Sequence, residues 1–140
     1  EHNADYFQAF LQKGVSLQAL GRSQEALINF DKALALNSED PEAHLQRGVA
    51  LASLGKVKEA VDNYNNALKL DLNLVKALYH KGCAFIHLSK EDQTTTCFEK
   101  AVEILPEDPE ALCNQGICLE IFSKHEQAIE SYSQAIKFSP

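Results

Sequence analysis

Apolar and small residues return along this chain with the period of a helix, break, and return again. In residues 41–74, Ala43, Leu51 and Leu54 recur on one helical face, and Ala60, Tyr64, Ala67 and Leu68 do the same in the second half. Between the halves a small residue precedes a cation: Gly21-Arg22, Gly55-Lys56, Ser89-Lys90 and Ser123-Lys124. Glycine accepts the left-handed conformation that ends a helix, and a cation there suits the negative end of the macrodipole. Serine is a poorer stop, so the turns at 89 and 123 are expected to use another geometry. Glu25, Glu59, Asp92 and Glu126 then stand where the next helix opens, where its dipole favours acids. Between units, Asp40-Pro41 and Asp108-Pro109 offer a capping carboxylate and a proline in the first helical position. The pattern predicts an all-α chain of eight helices in four hairpins.

The hairpins are one unit repeated. Gly14, Gly48, Gly82 and Gly116 lie 34 residues apart, each followed 16 residues later by an aromatic ring: Phe30, Tyr64, Phe98, Tyr132. Nineteen after stands alanine (Ala33, Ala67, Ala101, Ala135), and twelve after stands Ala26, Ala60 or Ala128, with Thr94 the exception. The units run 7–40, 41–74, 75–108 and 109–140, behind a flank at 1–6 that is expected to fray. Glycine inside a helix costs about 1 kcal/mol relative to alanine, so something must offset it. Close approach to the small residues of the partner helix is the expected reason, with the rings filling the wider part of the seam. His44 and Thr94 are expected to pack more loosely. No hairpin can bury its own apolar face, so stacked neighbours must complete the core.

Charge and composition narrow the function classes. With 140 residues, 45% hydrophobic, the length fits one folded domain. The net charge is −7 and no basic stripe is visible, which argues against nucleic acid as a partner. There is no signal-peptide pattern, and no apolar run is long enough to cross a bilayer, so no membrane partner is expected. Cys83, Cys97, Cys113 and Cys118 show no C-x-x-C spacing and read as reduced thiols of a cytoplasmic or nuclear protein.

The glycine, alanine and aromatic offsets resemble those of the tetratricopeptide repeat over residues 7–140. Departures are local. The family's leucine just before the glycine is here Lys13, Arg47, Lys81 or Gln115, and its later proline survives only as Pro106 and Pro140. The resemblance implies a right-handed α–α superhelical solenoid whose first helices line a concave groove that binds peptide segments of other proteins. Fold alone does not settle function, so the groove positions carry the reading.

The family's inward positions two before the glycine are Gln12, Gln46, His80 and Asn114, all uncharged hydrogen-bonding groups. Such a column could bind the backbone of an extended peptide, as an asparagine ladder does in a glycosyltransferase with these repeats; solvated polar residues are the plainer alternative. Beside it stand Leu11, Leu45, Tyr79 and Cys113, and Val15, Val49, Cys83 and Ile117. These form pockets or pack helix on helix. The family's carboxylate clamp for acidic tails needs cations and asparagine where this chain has Leu11, Val15, Gln46, Lys76 and His80. Only Lys76 fits, so no clamp is expected.

His80, Cys83 and His87 share a helical face and are of metal-ligand type. His80 and His87 are two turns apart, about 10 Å, too far to meet one ion readily. No orienting acid or oxyanion donor accompanies Cys83 and His80. The expectation is a protein-interaction module without catalysis, metal or cofactor. Two other readings stay open: a homodimer through an apolar face of the last repeat (Ile129, Tyr132, Ile136), or the substrate-recognition arm of a larger enzyme.

Overall fold

The computed structural model describes residues 2–139. Among them lie eight α-helices: α1 His2–Ala19, α2 Ser23–Leu36, α3 Pro41–Ser53, α4 Val57–Leu70, α5 Val75–His87, α6 Glu91–Ile104, α7 Pro109–Ile121 and α8 His125–Phe138. The all-α expectation of four helix–turn–helix repeats is met. One boundary differs: the flank expected to fray continues α1 back to His2.

The turns within hairpins share one geometry. Gly21 and Gly55 take φ of 77° and 81°, and Ser89 and Ser123 take 56° and 61°. Both serines therefore adopt the same left-handed conformation as the glycines, contrary to the sequence expectation. The hydrogen bonds show why. The N–H of Gly21, Gly55, Ser89 and Ser123 each reaches back three residues, and the N–H of the following cation reaches back five, as in Arg22 to Leu17 O at 2.9 Å and Lys124 to Leu119 O at 2.8 Å. This Schellman arrangement satisfies carbonyls that the helix end leaves open, and it demands a left-handed residue whatever its side chain.

The caps between repeats match the sequence. Ala43 N–H donates to Asp40 Oδ1 at 2.8 Å, and Ala111 N–H to Asp108 Oδ2 at 3.0 Å. Each carboxylate occupies one of the donors orphaned at the start of α3 or α7.

The chain forms two compact units, residues 1–77 and 78–140, with the boundary inside α5. In the first, α1 packs on α2, α2 on α3 and α3 on α4; in the second, α6 packs on α7 and α7 on α8. The glycines explain the hairpin seams, chiefly through the aromatic rings and, at Gly48, also through the expected Ala60. A Cβ on Gly48 would stand 2.5 Å from Tyr64 Cε1, and one on Gly116 2.6 Å from Tyr132 Cε1; Phe30 and Phe98 lie likewise on Gly14 and Gly82. The ring lies on the glycine itself and does not fill a wider gap. Ala26, Ala60 and Ala128 are buried as well. Thr94 is not loosely packed either: it is fully buried, and its Oγ1 donates to Lys90 O at 2.8 Å.

Candidate functional site

In the first unit, α1 and α3 carry two of the four polar positions. Gln12 is exposed and Gln46 half-buried. Gln46 Nε2 donates to Glu42 Oε1 at 2.8 Å, one turn earlier. The two helices are tied farther along, where Gln18 Nε2 donates to Ser53 Oγ at 2.8 Å. The flanking apolar positions divide. Leu11 and Leu45 are 4% and 0% exposed, so they belong to the core and cannot wall a peptide pocket as they stand. Val15 and Val49 are half-buried, and Lys76, at the start of α5, is exposed.

In the second unit, α5 and α7 carry the other two polar positions. His80 is exposed and Asn114 half-buried. Tyr79 stacks on Phe98 with ring centroids 6.2 Å apart, and its hydroxyl is buried with no hydrogen-bond partner. Burial pushes the Tyr79 phenol up from its ordinary value, and the carboxylates of Asp108 and Glu110 add to this. The Asn114 amide lies near enough to pull the other way, though not in bonding geometry. Cys113 is half-buried, and Cys83 and Ile117 are exposed. Although Cys83 is exposed as a residue, its neighbours desolvate the sulfur enough to raise the thiol pKa. A thiol so placed is a poor nucleophile at neutral pH. Cys97 and Cys118 are buried, and burial raises both.

One site residue lies outside the sequence expectations. Glu42 stands six before the glycine of its repeat, the same register as Lys76 and Glu110, and that offset is the signal that points to it. Among the described residues no three His, Cys, Asp or Glu side chains stand together in a way that would hold a metal, and no helix is long and apolar enough to cross a membrane.

With the repeat geometry established, the chain belongs to the tetratricopeptide-repeat family, whose profiles match residues 11–82, 75–108 and 97–130. No curated protein matches it. Solved structures do. The MamA fragment 41-end from Desulfovibrio magneticus RS-1 is 26% identical, with 97% of this chain and 77% of that one covered and a TM-score of 0.81. TTC0263, a thermophilic repeat protein of Thermus thermophilus, is 24% identical over 95% of this chain and 74% of its own, with a TM-score of 0.82. YrrB, described as a repeat protein with an unusual peptide-binding site, is 24% identical over 94% and 68%, with a TM-score of 0.74. The likeness carries the fold.

Proposed function

We propose that this chain is a protein-interaction module that binds an extended segment of a partner protein through the polar positions of its first helices: Gln12 and Gln46 in the first unit, His80 and Asn114 in the second. The observation that carries the reading is the contrast in the first unit between neighbouring columns. Leu11 and Leu45 are core, whereas the polar residue next to each stays accessible. An amide offers donor and acceptor together, as a peptide backbone does. Lys76 is a lone cation at these positions, so an acidic tail finds no paired clamp.

A displayed library of peptides selected on the whole chain tests this. Calorimetry of the best binder should show affinity falling at least about tenfold when Gln46, His80 and Asn114 are all changed to alanine, since three hydrogen bonds are at stake. An unchanged affinity would sink the proposal.

A second reading has its own support. Ile129 and Ile136, two turns apart on α8, are 63% and 76% exposed, and a second copy of the chain would cover them. Tyr132, expected in the same face, is half-buried against Gly116 instead. Light scattering over a concentration series should then show a dimer that Ile136→Lys abolishes; a monomer throughout removes this reading.

A further inference from the structure

The polar residues that replace leucine just before each glycine have no part in the first-helix column. In the first unit, Arg47 reaches the second helices: its Nε donates to Asp31 Oδ1 on α2 at 2.6 Å and its Nη1 to Asn63 Oδ1 on α4 at 3.2 Å. These residues border a cleft of about 480 Å³, whose walls also carry His44, Glu59 and Asp62. The second unit repeats the wiring on a smaller scale. Ser131 Oγ donates to Gln115 Oε1 at 3.3 Å, again 16 residues apart, beside a cleft of about 230 Å³ flanked by Glu99 and Glu130. The recurrence of one arrangement at one register makes this a built surface of the second helices.

We propose that the cleft of the first unit is a second docking surface, separate from the first-helix column, which receives an arginine or lysine side chain of a partner protein. Its own cation is already committed, because Arg47 is paired with Asp31 and held by Asn63. Glu59 and Asp62 are exposed and have no cation within ion-pair distance among the described residues. His44 adds a third unmet group. Its Nε2 lies 2.8 Å from Ser38 O, a carbonyl that can only accept. In the neutral ring Nε2 therefore carries the proton, and Nδ1 is left a buried acceptor with no partner. The two carboxylates face the cleft and call for a donor, whereas Nδ1 is covered and accepts one only if the His44 ring shifts. A guanidinium offers five N–H groups in a planar fork and suits such a set better than an ammonium does. Three carboxylates against one guanidinium disfavour an acidic or phosphorylated side chain, and the chain's net charge of −7 favours a basic partner at long range.

The test is a titration of the ¹⁵N-labelled full chain with the blocked peptide Gly-Ser-Gly-Arg-Gly-Arg-Gly-Ser-Gly, and with the same peptide carrying glutamate for arginine. Amide shifts should gather at residues 59–66 and at Arg47, for the arginine peptide only. Glu59→Gln and Asp62→Asn should each weaken binding about threefold and together about tenfold, as expected for exposed charge pairs at neighbouring sites. Both side chains are exposed, so the fold should survive, and far-UV circular dichroism checks that it does. Changing Gln12 and Gln46 to alanine should leave this binding alone, which separates it from the first-helix column. Shifts confined to Gln12 and Gln46, equal shifts with the glutamate peptide, or full affinity in the double variant would each overturn the proposal.

Discussion

At the scale of single residues, the four repeat glycines act through the ring each one carries. Tyr64 lies so close over Gly48 that an added Cβ would stand 2.5 Å from its Cε1 and 3.2 Å from the carbonyl of Ala60. The ring can shift, but the backbone oxygen cannot follow it. Gly48→Ala should therefore destabilise the protein by about 1–3 kcal/mol in urea unfolding, although alanine is the better helix former. At Gly82 the nearest ring atom is 2.8 Å away, so the same change there should cost less. A second residue-scale effect is electrostatic. Tyr132 Oη donates to Glu120 Oε2 at 2.8 Å, and desolvation, with that bond and the Glu120 charge, pushes the phenol up to about 12. The neutral phenol is thus favoured more in the folded than in the unfolded chain. Its contribution is fully present below the unfolded tyrosine value of about 10 and is lost as pH rises from there toward 12. Tyrosine carbon NMR should find Tyr132 titrating near 12, and Glu120→Gln should bring it down.

At the scale of elements, the hairpin turns show a rule overriding a side chain. The helix end needs a left-handed residue to close its Schellman bonds, and α5 and α7 supply serine at φ of 56° and 61°. A side chain in that conformation costs about 1–2 kcal/mol that glycine avoids. Ser89→Gly and Ser123→Gly should each stabilise the protein by about 1 kcal/mol, less what glycine's extra freedom in the unfolded chain takes back, and thermal melting checks the sign. The caps run the other way. Removing the carboxylate of Asp40 should cost about 1 kcal/mol, since Ala43 N–H would lose its partner.

At the scale of the whole molecule, stability is a sum of local terms, because a repeat contacts mainly its neighbours in the chain. Gly48→Ala should speed amide exchange in α3 and α4 far more than in α7 and α8, and a uniform rise across all eight helices would contradict this. The same locality explains how much could be read in advance. Eight helices, their caps and the 34-residue period follow from short-range rules: apolar spacing, an aspartate before proline, a small residue before a cation. The candidate site was legible only in part. Gln12, Gln46, His80, Asn114 and Glu42 all stand at fixed offsets from the glycine, but the bond between Glu42 and Gln46 and the burial of the Tyr79 hydroxyl could not be read there.

The sequence by itself determined the succession of helices, the residues at their caps and turns, and which positions recur, because those are decisions among residues within a few turns of one another. Burial and partnership were decided only in three dimensions. Leu11 and Leu45 became core while Ile117 stayed 48% exposed, and Arg47 found Asp31 and Asn63, each 16 residues away. The reason is physical: a hydrophobic period says that a residue shares a face, and only the packed neighbour says whether that face is covered.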